Sequence, residues 1–395
     1  MAGTMNKGTL DKGSLVKTFG GGGSSPTPPT PQEEYFVKVV DYDGTVIDEQ
    51  WLDDGAEYTL PSAPSHEGLV FQEWCSTETI TNGKITINKK SVMIGALYTT
   101  VSGQNEFDIE LNAITGLSVT FRMYGTKDWG DGTTSTSQSH TYSEYGKYTI
   151  KCSSSTIENT SSSSGGFFGQ KSATPNQYCT AIRFATVTTF SQTYNPYCFQ
   201  YCKNLKYVSF HKNFVGTISS YAFQYCSALS SIILPATTIN QQAFYNCYTL
   251  ENAVLSRATA LPQQCFYMNN IEYFVMPNAV LSLDGSGVFN QNVGLKKVYL
   301  SESLTNINAT TFQACYSLTK IKIPKTVSSI GSSAFYNDYN LLEYDFSEHE
   351  AIPTLTSGAL NGISAFCKIK VPSALYDQWI TETGWSDYAN YIVAV

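Results

Sequence analysis

Histidine and cysteine are the side chains most often recruited for chemistry, and the 395-residue chain offers four histidines (His66, His140, His211, His349) and ten cysteines. A hydrolytic triad needs a histidine set between a nucleophile and a carboxylate. The four histidines are far apart in sequence, and no HExxH, GxSxG or Walker phrase occurs. Glycoside hydrolysis needs two carboxylates across a cleft; Asp345, Glu348 and Glu350 come nearest, and a charged loop is the plainer account of them. Asp131 lies in Trp129-Gly-Asp-Gly132, but one carboxylate in a turn phrase does not make a calcium site. His140 reads as a structural hydrogen-bonding residue of a β module. These residues point to no enzyme, no cofactor and no metal site.

The cysteines fall into a pattern. Cys202, Cys226, Cys247 and Cys315 each stand three residues after a phenylalanine, at a position that Asn269, Asn292 and Asp338 fill elsewhere. The phenylalanines are Phe199, Phe223, Phe244, Phe266, Phe289, Phe312 and Phe335, one every 21 to 24 residues. Six residues on comes Leu205, Leu229, Leu250, Leu295, Leu318 or Leu341, with Ile271 in the one shorter copy. Small polar heads at one repeating position suit a ladder of side chains bonded to backbone where the chain turns. That reading is preferred to a disulfide or metal stack: Cys198 and Cys202 form an isolated C-x3-C, with no histidine at ligand spacing.

A unit of this length cannot bury its own apolar face, whereas stacked units cover one another. The alternating run after each leucine, as in Ile321-Lys-Ile-Pro324, predicts one short strand per coil and a parallel sheet along one side. Phenylalanine and leucine are expected to stack inward.

Three phrases, Ile330-Gly-Ser-Ser-Ala-Phe335, Leu318-Thr-Lys-Ile-Lys-Ile-Pro324 and Ile218-Ser-Ser-Tyr-Ala-Phe223, carry a family resemblance. The repeat resembles the BspA-like leucine-rich repeat of surface proteins of anaerobic and gut bacteria and of phages that infect them. The resemblance covers about half the chain and implies a recognition scaffold without chemistry.

The predicted fold class is mostly β: two small β modules followed by a leucine-rich-repeat solenoid with a C-terminal cap. Residues 1–19 read as an attachment peptide and 20–33 as a Gly/Pro linker. Residues 34–101, with Gly68, Trp74 and paired prolines, resemble the repeat domain found beside leucine-rich repeats in Listeria and Bacteroides surface proteins; Trp74 is expected in its core. Residues 104–152, with Trp129-Gly-Asp-Gly132, His140-Thr-Tyr142 and Gly146-Lys-Tyr-Thr-Ile150, resemble the PKD domain, a small immunoglobulin-like sandwich. A Ser/Gly-rich joint is placed at 153–175, the repeats at 176–372, and a cap at 373–395 that opens with a helix over Ser373 to Trp379.

Charged residues make up 14% of the chain, and the formal charge is −8. With no basic block, nucleic acid is not an expected partner. No stretch is apolar for long enough to span a membrane. Ten cysteines in this length suggest assembly in a reducing compartment. Met1 to Gly20 lacks the apolar run of a signal peptide.

The first expectation is therefore a phage virion appendage, a head or tail fibre. It would dock on a capsid, collar or tail protein through Leu10, Leu15, Val16 and Phe19, and would offer the solenoid to a host-surface glycan or protein, as a homo-oligomer. The alternatives are a bacterial surface or secreted adhesin, and a structural decoration without a ligand. On the strand face, Lys206, Ser209, Lys320, Lys322 and Tyr344 are the candidate outward contacts.

Overall fold

The computed structural model describes residues 34–100, 106–120, 125–153, 156–157, 177–184, 189–190, 197–214 and 216–395. The docking candidates Leu10, Leu15, Val16 and Phe19 lie outside the described residues, as does most of the Ser/Gly-rich stretch.

Strands β1 (Tyr35–Val40), β2 (Val46–Leu52), β3 (Glu57–Thr59), β4 (Leu69–Ser76), β5 (Lys84–Thr86) and β6 (Val92–Thr100) form the first module. Its main sheet has the order β2-β1-β6-β4. The β1–β2 hairpin closes on Asp41 N–H to Thr45 carbonyl, 2.8 Å, through Gly44 in the left-handed region (φ 92°), where glycine carries no Cβ penalty. β1 and β6 are central and almost wholly buried. On one face Val37, Val39, Val92 and Ile94 pack with Tyr58 and Ile85 of the small β3–β5 pair and with Ile87 just after it. On the other face Phe36, Val40, Met93 and Leu97 belong to the same core as the solenoid.

The next strands are β7 (Glu106–Ala113), β8 (Ser118–Thr120), β9 (Lys127–Asp128), β10 (Thr134–Ser135), β11 (Ser139–Thr141) and β12 (Gly146–Ser153). β7 and β12 pair antiparallel, and β8 pairs β11. After β13 (Thr156–Ile157), which pairs β15 (Thr189–Phe190), come β14 (Cys179–Phe184) and β16 (Tyr207–Ser209). β14 runs antiparallel to β7 and parallel to β16, so one sheet, β10-β9-β12-β7-β14-β16, passes from the second module into the first coils. Glu110 on β7 clamps this junction, with Arg183 at 3.0 Å, Lys147 at 3.1 Å and the Thr180 hydroxyl at 2.9 Å. Burial raises the Glu110 pKa, but the bonds from Lys147, Thr180 and Arg183 outweigh it and hold the carboxyl below its usual range.

Each coil of the solenoid then adds one strand to the same side: Tyr207–Ser209, Ser231–Leu234, Asn252–Leu255, Tyr273–Val275, Lys297–Tyr299, Lys320–Lys322, Glu343–Asp345 and Lys368–Val371. The seven phenylalanines are buried and stack in order, with centroids 5.3 to 5.9 Å apart and planes within 17°. Residues two before and two after each phenylalanine are left-handed, such as Tyr221 (φ 62°) and Tyr225 (φ 63°). Because the conformation alternates, Tyr221, Phe223 and Tyr225 all aim their N–H groups at the next coil, donating to the carbonyls of Gln241, Ala243 and Tyr245 at 3.1, 2.8 and 2.9 Å. Backbone bonding between coils thus continues through the turn, where a helix would have satisfied itself.

All ten cysteines are buried thiols outside any disulfide. The polar ladder is present: Cys226 Sγ donates to the Phe199 carbonyl (3.2 Å) and Cys247 Sγ to that of Phe223 (3.1 Å). The cap opens with a 3-10 turn, Ser373–Leu375, and only then a single α turn, Tyr376–Trp379. Trp379 and Trp385 are fully buried against Phe346, at 5.5 and 5.3 Å. The last strand, Ile392–Ala394, pairs parallel with Lys368–Val371 and closes the sheet.

Candidate interaction surfaces

In the alternating runs, residues in register with Ile321 point inward and their neighbours point outward. Tyr344 pairs in register with Ile321 and is fully buried. Its expected outward placement is corrected: a one-residue shift in reading a strand exchanges its two faces.

Ser209 does point outward, yet it is 2% exposed. Its hydroxyl donates to the Tyr98 carbonyl at 2.9 Å, because β6 lies across it. The first module's sheet covers the strand face from Tyr207–Ser209 to Lys297–Tyr299. Gly95 sits so close to Ile233 that a Cβ there would fall 2.5 Å from Ile233 Cγ1. Phe36 packs on Tyr273 (4.8 Å) and Tyr299 (6.0 Å), and Tyr42 on Tyr207 (4.9 Å). Lys90 Nζ donates to the Met276 carbonyl at 2.7 Å and pairs with Glu78 at 3.4 Å. Burial lowers the Lys90 pKa, and Glu78 works against that shift.

Lys320 and Lys322 stand on the uncovered strands beyond. Lys322 pairs with Glu348 (2.7 Å), Lys325 with Glu350 (2.8 Å), and Glu343 lies between Lys370 (3.0 Å) and Lys320 (3.9 Å). The carboxylates Glu348 and Glu350 are thus lysine partners. Lys206 is exposed beside a hollow of about 270 Å³ lined by Asn112, Gln177, Tyr178, Thr180 and Asn204.

The sequence reading missed the turn that follows each ladder residue. Tyr248, Val293, Tyr316 and Tyr339 follow Cys247, Asn292, Cys315 and Asp338. They are 51, 47, 42 and 55% exposed, and Phe366, at the last coil's turn before Cys367, is 84% exposed. Tyr316 and Tyr339 stack at 6.3 Å with planes 9° apart, and Asn340 Nδ2 donates to the Tyr316 carbonyl at 2.7 Å. Half-buried columns run beside them: Tyr201 on Tyr225 (4.8 Å) and Tyr245 on Tyr267 (4.6 Å). Burial, then neighbouring phenols, push the Tyr225 and Tyr245 pKa values up, so these rings stay uncharged. Flat apolar faces with hydroxyl tips, flanked by Asn, Gln and Thr, suit contacts that are both packed and hydrogen-bonded. The available signal was the tyrosine just after three of the seven ladder residues, Cys247, Cys315 and Asp338.

Among the described residues, the four histidines stand in separate places. His140 Nε2–H donates to Asp131 Oδ2 at 2.7 Å and the ring stacks on Trp129; the Thr133 N–H also donates to Asp131. Among the described residues, no group of three or more His, Cys, Asp or Glu is placed to hold a metal ion, and no helix is long and apolar enough to cross a membrane.

Residues 177–290 and 285–378, about half of the chain, match the model of the BspA type leucine rich repeat region. Among solved structures, a leucine-rich repeat protein from Bacteroides ovatus aligns at 18% identity and a TM-score of 0.33, over 52% of this chain and 65% of that one. A leucine rich cell surface protein from Faecalibacterium prausnitzii aligns at 20% identity and 0.28, over 48% and 72%. The pneumococcal vaccine antigen PcpA aligns at 13% and 0.22, over 52% and 76%. No curated protein matches.

Proposed function

Because this chain belongs to the BspA-type leucine-rich-repeat family, we propose that it is a surface-displayed or secreted adhesin-type scaffold that binds protein or glycan along its aromatic turn edge. The observation that carries this reading is the division of the solenoid's sides. Five of the eight coil strands are already covered by the chain's own first module, whereas aromatic rings stand exposed at the turns of successive coils. Lys206, Lys320 and Lys322 are retained as flanking contacts. A Tyr316→Ala, Tyr339→Ala, Phe366→Ser triple variant should keep the melting curve and lose at least tenfold in binding to host cells or a glycan array. Undiminished binding by the folded variant would remove the turn edge from the function.

A second reading, the virion appendage, is favoured by the peptide-and-spacer composition of residues 1–33. Docking through Leu10, Leu15, Val16 and Phe19 onto a capsid, collar or tail protein, and assembly as a homo-oligomer, belong to it. No matched relative supports it, and we place it second. Mass spectrometry of purified virions beside fractionated host cells separates the two. The PKD-like reading of 104–152 and the module boundaries stand as part of the same proposal; the β7–β12 pairing and the buried Trp129 support a compact β unit there.

A further inference from the structure

At four of the seven ladder positions the side chain donates a hydrogen bond to the preceding coil. Cys226, Cys247 and Cys315 donate to the carbonyls of Phe199, Phe223 and Phe289, and Asn292 Nδ2 donates to that of Phe266 at 2.5 Å. Asp338 occupies the same position in its coil and is 1% exposed. Its Oδ1 accepts the Cys315 N–H at 2.7 Å, as Asn269 Oδ1 accepts that of Cys247 at 3.0 Å. In both residues the second head atom is buried without a partner: an amide nitrogen in Asn269, a carboxyl oxygen, Oδ2, in Asp338.

By the ladder's register, the acceptor due to Asp338 is the Phe312 carbonyl. An ionised carboxylate would set one acceptor against another in a buried site. The titratable groups that act on Asp338 are the Cys315 thiol of the preceding coil and the Tyr344 phenol on the strand of its own coil; Cys367 and Tyr388 act on Tyr344 in turn. None is a cation.

We propose that Asp338 is a carboxylic acid in the folded chain, donating from Oδ2 to the Phe312 carbonyl, and that its ionisation loosens the coils leading into the C-terminal cap. The local electrostatics agree: burial pushes the carboxyl up to about 8, against the lowering effect of the Cys315 N–H. A free aspartate ionises at about 3.9, so the folded chain holds one proton more than the unfolded chain between the two values. The stabilisation is complete below about pH 4, falls by up to about tenfold in the folding constant per pH unit, and is lost as pH rises through the folded value.

The test uses the full chain and the isosteric variant Asp338→Asn, which supplies a permanent donor. With 13C-labelled aspartate, the Asp338 carboxyl carbon, identified by its absence in the variant, should read as protonated at pH 6 and titrate near 8. Urea midpoints should fall with pH more steeply in the wild type than in Asp338→Asn. A wild-type carboxyl that titrates near 4 overturns the proposal even if the variant does not fold, and so do parallel pH dependences of two folded proteins.

Discussion

The coils under the first module and the coils beyond it share one repeat but differ on their outer strand face. Outward residues under the module are Tyr207, Ser209, Ser231, Ile233, Asn252, Val254, Tyr273, Val275, Lys297 and Tyr299; beyond it they are Lys320, Lys322, Glu343, Asp345, Lys368 and Lys370. Inward residues show no such break, since Phe223 and Phe312 are equally buried and equally stacked. The inner pattern therefore belongs to the repeat, whereas the outer pattern reports what lies on top of each coil. Where β6 covers the strands, small and apolar side chains meet it; where water does, lysine and glutamate pair across coils. Lys297 marks the border, its amine 4.6 Å over the Tyr299 ring.

The comparison can be broken at its common part first. Phe223→Ala and Phe312→Ala should each destabilise the chain by about 3–5 kcal/mol, since both leave a cavity in the same stack. Urea unfolding that spared one of them would end the claim of a uniform interior. Next comes the covered face. Gly95→Leu forces a side chain onto Ile233 and should cost about 1–3 kcal/mol; a neutral result would mean the module does not seat on the strands. The smallest effect belongs to the uncovered coils, where Lys322→Ala removes one exposed ion pair worth about 0–1 kcal/mol. A larger loss, or one insensitive to salt, would mean that this face too is covered.

Much of this was legible in the residues. The phenylalanine period, the leucine six residues on, and the Cys/Asn/Asp ladder all appear where local spacing placed them, because a stacked coil must repeat its inward contacts. The cover on the strand face also left a trace. Tyr35-Phe-Val-Lys-Val-Val40 and Val92-Met-Ile-Gly-Ala-Leu-Tyr98 lack the polar alternation of a sheet with one wet face. Read with Ile233 and Val254, they say that two apolar faces await each other. Ser209 and Tyr344 misled for different reasons. Ser209 is polar and outward, and only the arrival of Tyr98 above it removes it from solvent. Tyr344 looks like a surface residue by type, and its register with Ile321 decides otherwise.

The sequence by itself determined the solenoid, its inward stack and its ladder, because these depend on periodic or local relations between residue types. The tertiary structure alone decided which side of the solenoid is free. It folds the first module back onto the strands by packing between residues more than a hundred positions apart, as in Ser209 with Tyr98 and Lys90 with Met276. It also runs β7 into the first coils and leaves the aromatic turn edge in solvent. Such long-range burial follows from the matching of two whole surfaces, and no repeat period encodes it.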